Sequence, residues 1–194
     1  RDFCLSRGLG DVYKRQQFSV SVPLTLVLGG ARSGKSRYAE GVVAAISPPW
    51  AYLATAEAGD EEMSARIKAH RERRGADWRT IEAPRDLSAA LAPCEQMPVL
   101  VDCLTLWLSN LMLADADIEK EMQVLETTLA SRTAATVLVA NEVGSGIVPD
   151  YPLGRRFRDL QGILNQRIAA RADRVVLMVA GLPLAVKGTL ETAS

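Results

Sequence analysis

Between a β-prone run, Leu24-Thr25-Leu26-Val27-Leu28, and a helical stretch from Ser36 to Ile46 stands Gly29-Gly30-Ala31-Arg32-Ser33-Gly34-Lys35-Ser36, which fits G-x-x-x-x-G-K-[ST]. No other feature restricts the chain as much. Glycines in such a loop let backbone N–H groups close around phosphate oxygens, and the start of the following helix adds positive potential. Lys35 is spaced to reach the β- and γ-phosphates, and the Ser36 hydroxyl to ligate Mg²⁺. A glycine-rich turn that merely links strand to helix is the plainer alternative. Pattern and flanks occur together here, so nucleotide binding is the expectation, while the reaction stays open.

The rest of the chain alternates in the same way. Short apolar runs at Ala51–Ala54, Val99–Asp102, Val137–Asn141 and Val175–Val179 read as further strands. Helical stretches are expected over Asp60–Arg74, Leu104–Leu113, Ile118–Ser131 and Phe157–Ala172. Strands alternating with helices predict an α/β fold with a mostly parallel sheet covered on both faces, and ligands at the carboxyl ends of its strands. With no repeat and no Gly/Ser/Pro linker, one domain over residues 24–188 is expected, with a tail over 189–194. Residues 1–23 mix Arg, Lys, Asp and Gly without a continuous apolar stretch. They do not read as a signal peptide and are expected to be a leader, disordered or extraneous to the fold.

Composition narrows the class. The chain has 194 residues, 48% of them hydrophobic and 24% charged, enough for a sizeable core without disulfides. Its 23 basic and 23 acidic side chains cancel, which argues against a general nucleic-acid or membrane-surface binder. The cysteines, Cys4, Cys94 and Cys103, are odd in number and form no C-x-x-C pair, so reduced thiols and a cytoplasmic location are expected. The longest apolar run, Val175–Val186, is broken by Gly181 and Pro183 and falls short of the roughly 18 residues of a membrane span.

Two further places carry chemistry. Asp102 closes a strand, where a nucleotide-binding sheet keeps a carboxylate near the metal; an ordinary aspartate capping the next helix is the alternative. His70, the one histidine, shares a predicted helix face with Met63 and Ile67 and is surrounded by Arg66, Lys68, Arg71, Arg73 and Arg74, with Glu72 as the local counterweight. A neutral imidazole among guanidinium groups is a good nucleophile toward a polyphosphate, because the arginines bind and neutralise its oxygens. From spacing alone, a half-buried histidine on a solvated basic helix is the stronger reading. A lone histidine also excludes a multi-histidine zinc site.

The order of motifs changes that balance. Gly29-Gly-Ala-Arg-Ser-Gly-Lys-Ser36 is followed by Tyr52-Leu-Ala-Thr-Ala56, Glu62-Met-x-x-Arg66-Ile-x-x-His70-Arg71, and Trp78-Arg-Thr80 with Glu82. Next come Asp102-Cys-Leu-Thr-Leu-Trp107 with Asn110, and Asn141-Glu-Val-Gly144 with Gly146-Ile-Val-Pro149. Arg158-Asp159, Gly162, Asn165-Gln166 and Gly181-Leu-Pro183 complete the series. Together they resemble the bifunctional adenosylcobinamide kinase/adenosylcobinamide-phosphate guanylyltransferase family over roughly Leu24–Gly188. Gly75 stands where that family commonly has a proline.

The resemblance implies a three-layer P-loop NTPase fold of RecA-like type and a two-step enzyme of cobalamin nucleotide-loop assembly. The aminopropanol hydroxyl of adenosylcobinamide is phosphorylated by ATP or GTP. A histidine then attacks the α-phosphate of GTP, and the resulting GMP-histidine yields adenosylcobinamide-GDP. His70 takes the nucleophile's place, with Lys35 as the second catalytic residue. By the same carry-over Gly29, Gly30, Ala31, Arg32, Ser33, Gly34, Lys35, Ser36, Ala54, Thr55, Ala56, Arg71, Glu72, Arg73, Arg74, Glu82 and Asp102 form the nucleotide site, Ser36 and Asp102 holding Mg²⁺. Glu82 is suited to a guanine N–H edge or a ribose hydroxyl, or is a surface carboxylate. Asn141–Gly144 falls at a strand end on the ligand side, as a corrinoid or nucleotide contact or an ordinary turn. A homo-oligomer, a trimer, is implied as well. Two rivals stand beside this reading: a monofunctional small-metabolite kinase with a structural His70, and a nucleotide-dependent switch without transferase chemistry.

Overall fold

The structure is a computed structural model that describes residues 24–57 and 75–190. Among the described residues one sheet is built from β1 (Leu24–Gly29), β2 (Trp50–Ala54), β3 (Trp78–Glu82), β4 (Val99–Asp102), β5 (Thr136–Asn141), β6 (Arg174–Val179) and β7 (Leu182–Lys187), in the order β3-β2-β4-β5-β1-β6-β7. All neighbours run parallel except the pair β6 and β7. The helices are α1 (Lys35–Ala44), α2 (Leu87–Leu91) with a 3₁₀ turn at Ala92–Cys94, α3 (Leu104–Leu113), α4 (Ile118–Ser131) and α5 (Pro152–Arg171).

The central strands are apolar almost throughout because both of their faces are covered. On one face Val27, Leu100, Val137, Val139 and Val176 pack with Ala39 and Val43 of α1. On the other, Leu26, Val101, Leu138 and Ala140 pack with Trp107 and Leu108 of α3, Leu125 of α4, and Leu164 and Ile168 of α5. The outcome is the expected α/β three-layer arrangement.

Local chemistry sets the element ends. Asp86 accepts from the Ala89 N–H at 3.0 Å to cap α2, and Asp117 accepts from the Lys120 N–H at 3.1 Å to cap α4. Helix α5 starts at Pro152, five residues ahead of the expected Phe157, because proline suits a first helical turn whose N–H groups have no intrahelical partner. Helix α4 is fastened to α5 through Glu126, almost fully buried, which pairs with Arg167 and Arg171; Arg167 also reaches Glu119 at 2.7 Å.

Two edge strands and α2 are additions to the sequence reading. Trp78-Arg-Thr-Ile-Glu82 is a half-exposed edge strand and lacks a buried strand's apolar run. Strand β7 contains Pro183, which an edge strand tolerates because one side of its ladder has no partner. The break at Gly181 is a turn: Ala180 and Gly181 both take positive φ, 51° and 83°, which reverses the chain between Val179 and Leu182. The expected helix over Asp60–Arg74 lies outside the described residues.

Candidate nucleotide-binding site

Loop 29–36 links the carboxyl end of β1 to the first turn of α1. Gly34, the residue before α1, has φ 92°, a conformation that L side chains rarely adopt. Gly29 is glycine for another reason: a Cβ there would stand 2.5 Å from Ser33 Oγ and 2.9 Å from the Met178 carbonyl oxygen. The loop is held from behind, since the Gly181 N–H donates to the Ser33 carbonyl at 3.1 Å. The β6–β7 turn therefore supports the phosphate loop, a role its apolar sequence does not announce.

Lys35 donates from Nζ to the Gly30 carbonyl at 2.9 Å, folding back over its own loop. Burial draws its ammonium below the ordinary lysine value, while the Cys103 thiol and the Asp102 carboxylate oppose that shift. Cys103 itself is buried, and desolvation followed by the neighbouring Asp102 pushes its thiol up to about 11, so at neutral pH the nearby negative charge is that of Asp102. Lys35, Asp102 and Cys103 thus form one electrostatic group at the mouth of the sheet.

Strand register fixes the surroundings. Ala54 pairs with Glu82 on one side and Asp102 on the other, so these three lie abreast at the carboxyl ends of β3, β2 and β4. Tyr52 donates from its hydroxyl to Asp102 Oδ2 at 3.1 Å, steadying the carboxylate from the α1 face. Thr55 is fully buried, and its Oγ1 accepts from the Cys103 N–H at 2.7 Å and donates to the Cys103 carbonyl at 2.8 Å. That side chain braces the wall from behind rather than facing the cleft. Asn110 of α3 spans the loops after β2 and β3, donating to the Thr55 carbonyl at 2.8 Å and to the Pro84 carbonyl at 2.9 Å. Trp107 donates to the Arg85 carbonyl at 2.6 Å, and Arg85 pairs with Glu57 at 2.8 Å.

The structure therefore gathers Gly29, Gly30, Ala31, Arg32, Ser33, Gly34, Lys35 and Ser36 with Asp102, and sets Ala54, Thr55 and Glu82 along the adjoining strand ends. Ala56 follows directly on Thr55. His70, Arg71, Glu72, Arg73 and Arg74 lie outside the described residues. The supporting roles of Cys103, Asn110, Tyr52 and Thr105, whose Oγ1 accepts from the Asn141 N–H at 2.7 Å, could not be read from spacing, because each depends on which strands are neighbours. The one signal was that all four fall inside motifs quoted for the resemblance.

Comparison with known proteins identifies the chain's family. Residues 25–186 match the family described as cobinamide kinase / cobinamide phosphate guanyltransferase. The chain is 48% identical over 167 residues to a Pseudomonas aeruginosa protein named bifunctional adenosylcobalamin biosynthesis protein CobP, covering 84% of this chain and 96% of that one. It is 42% identical over 183 residues to the Salmonella typhimurium bifunctional adenosylcobalamin biosynthesis protein CobU, covering 84% of this chain and 99% of the relative. Among solved structures, the flagellar accessory protein FlaH of Methanocaldococcus jannaschii superposes with a TM-score of 0.51 at 12% identity, covering 86% of this chain and 79% of that one, a likeness of fold alone.

Proposed function

The chain belongs to the cobinamide kinase / cobinamide phosphate guanyltransferase family, and from that premise we propose that it acts on adenosylcobinamide in two steps through a GMP-histidine intermediate on His70. In the first step the aminopropanol hydroxyl oxygen bonds to the γ-phosphorus of ATP or GTP. The bond to the β–γ bridging oxygen breaks, the nucleoside diphosphate leaves with the electron pair, and the hydroxyl proton passes to water. In the second, the His70 imidazole takes GMP from GTP with loss of pyrophosphate, and the substrate phosphate then displaces the histidine to give adenosylcobinamide-GDP.

The observation that carries the reading is the convergence of a glycine-built phosphate loop, Lys35 and Asp102 at one end of the sheet. Gly29 to Ser36 would bind the polyphosphate, Lys35 would follow charge onto the β- and γ-oxygens, and Ala54, Ala56 and Glu82 would line the adjoining wall with Thr55 bracing it. Arg71, Glu72, Arg73 and Arg74 would complete the nucleotide site around His70. Ser36 and Asp102 supply a hydroxyl and a carboxylate, donors that suit Mg²⁺ shared with substrate phosphates and water; among the described residues no cluster of three or more His, Cys, Asp or Glu offers a protein cage instead. When bound, the ion would neutralise phosphate charge. The protein is proposed to be a cytoplasmic homo-oligomer, a trimer. The exposed apolar strip of Val179, Leu182, Leu184 and Val186 at the β7 edge supports self-association.

The test is incubation of the full chain with adenosylcobinamide and ATP or GTP, read by mass spectrometry, for wild type and His70→Ala. Phosphorylated and guanylylated corrinoid from wild type, and phosphorylated corrinoid alone from the variant, are expected. Absence of both products from wild type sinks the reading. Acid-labile, alkali-stable labelling by GTP that survives His70→Ala removes His70 as the nucleophile.

A further inference from the structure

We propose that Asn141 is a catalytic residue of the phosphoryl-transfer step, its side-chain amide donating a hydrogen bond to an oxygen of the γ-phosphoryl group as that group passes to the acceptor hydroxyl. The proposal rests on the kinase half of the function proposed above.

Placement comes first. β5 lies between β1, which carries the phosphate loop, and β4, which ends in Asp102. Asn141 is in register with Gly29, and Val139, one pleat below it, is in register with Asp102. Adjacent strands are about 4.8 Å apart, so Asn141 stands one strand from the loop and one from the carboxylate strand. Alternation sets its face: Val137 and Val139 pack on the α1 side, Leu138 and Ala140 on the other, which puts the Asn141 side chain on the α1 side. Asp102, following Val101 on the opposite side, falls on that same α1 face. A carboxamide thus ends an otherwise apolar strand, Thr-Val-Leu-Val-Ala, between the two anchors of a polyphosphate.

The second observation is the effort spent in holding this residue. β4 ends at Asp102, so the last residues of β5 have no strand ladder on that side. Side chains replace it. The Asn141 N–H donates to Thr105 Oγ1 at 2.7 Å, and its carbonyl accepts from Asn165 Nδ2 at 3.1 Å. Asn165 in turn accepts from Gln161 Nε2 at 2.8 Å, and these three side-chain donors and acceptors belong to buried residues. On the β1 side the Glu142 N–H donates to the Gly29 carbonyl at 3.1 Å. Buried polar side chains cost free energy unless every group is paired, and an apolar packing would serve stability as well. What this relay secures is the height and direction of Asn141, and it does so through the backbone. The carboxamide makes no hydrogen bond among the described residues, and alternation sets it on the α1 face in register with Gly29 of the phosphate loop.

The chemistry calls for such a group. As the acceptor oxygen closes on phosphorus and the bridging bond opens, charge is spread over the oxygens of the transferred group, and a fixed amide donor stabilises it without reorganising. Removing one preorganised donor of this kind lowers kcat about 10²–10³-fold.

The experiment compares wild type, Asn141→Ala and Asn141→Asp in the full chain, following ATP-dependent phosphorylation of adenosylcobinamide. Affinity for a non-hydrolysable ATP analogue and the thermal midpoint are measured beside it. Both variants are expected to lose about 100-fold or more in kcat. In Asn141→Ala, analogue affinity should stay within about 3-fold and the midpoint within about 2 °C, since the hydrogen bonds that hold this strand end use the backbone; the carboxylate of Asn141→Asp should also repel the polyphosphate and weaken the analogue. Asn141→Asp keeps the shape and replaces the donor by a negative charge, while Asn141→Ala removes the donor without one. Turnover within about 3-fold of wild type in either variant overturns the proposal, and so does a fall in kcat of Asn141→Ala matched by falls in its affinity and melting. A wild-type chain that phosphorylates nothing overturns the kinase reading itself, whereas an active Asn141→Ala overturns only the role of Asn141.

Discussion

Gly29 is the fixed first glycine of the loop motif and Gly30 fills one of its open positions, and the structure separates the two just as sharply. A Cβ at Gly29 would meet Ser33 Oγ at 2.5 Å, the Met178 carbonyl oxygen at 2.9 Å and Met178 Cβ at 3.1 Å. The serine hydroxyl can rotate away. The Met178 carbonyl cannot, because β6 is paired with β1 from Thr25 to Gly29 and the two residues are in register. Gly29→Ala therefore forces β1 and β6 apart at the base of the loop, an overpacking that costs about 1–3 kcal/mol, with the rigid backbone contact favouring the upper part of that range. For a domain of this size each kcal/mol moves the thermal midpoint by about 2–4 °C, so a fall of roughly 5–10 °C is expected. At Gly30 nothing lies within 4 Å of the added methyl group and φ is not positive. Gly30→Ala then acts mainly on the unfolded chain and raises stability by up to about 1 kcal/mol. Calorimetric melting of both variants, with titration of an ATP analogue, checks this. Analogue binding should weaken at least about tenfold in Gly29→Ala, as the displaced strand carries the loop with it. Equal midpoints, or a lower midpoint for Gly30→Ala, would refute the reasoning.

Three further outcomes follow from the packing. Thr105→Val leaves the Asn141 N–H without its acceptor and should cost about 1–3 kcal/mol by denaturant unfolding. Glu126→Gln removes the charge that Arg167 and Arg171 share and should cost about 1–3 kcal/mol at pH 7. Burial alone would push the Glu126 carboxyl up, but the two arginines carry it below the ordinary glutamate value. Its contribution is thus present above the unfolded value and lost as pH falls through the folded one, so wild type and variant should converge below about pH 4. Cys103, raised from 9.0 to about 11, works in the other direction. The folded state keeps its proton where the unfolded chain has lost it, so stability should decline from about pH 9 to pH 11, and Cys103→Ala should flatten that alkaline limb.

What the sequence reveals follows the range of the interactions involved. α3 and α4 were legible to the residue because a periodic apolar face and a capping aspartate at Asp117 are local signals. β1, β4 and β5 were legible because strands covered on both faces become apolar runs. The edges of the sheet were not. β3 and β7 each have one neighbour, so Arg79 and Pro183 are tolerated and the apolar signal fades. Leu182, Leu184 and Val186 of β7 are exposed, as the outer strand of the sheet leaves them.

The candidate site divides in the same way, and the division bears on mechanism. Loop 29–36 is contiguous, so its chemistry could be read from spacing before any strand was placed. Asp102 could be placed near it only by analogy with other nucleotide-binding sheets. The interactions of Lys35 with Asp102 and of Tyr52 with Asp102, and the register of Gly29 with Asn141, join segments up to 112 residues apart and come into being only with the order β2-β4-β5-β1. A strand order that leaves one strand between the phosphate loop and the carboxylate also leaves one strand end facing the gap between them. Thr105, Asn165 and Gln161, polar and buried, converge on that end through Asn141. Buried polar relays are expensive where stability is the sole demand, so their presence at the one strand end that faces both anchors ties the cost of this core to phosphoryl transfer.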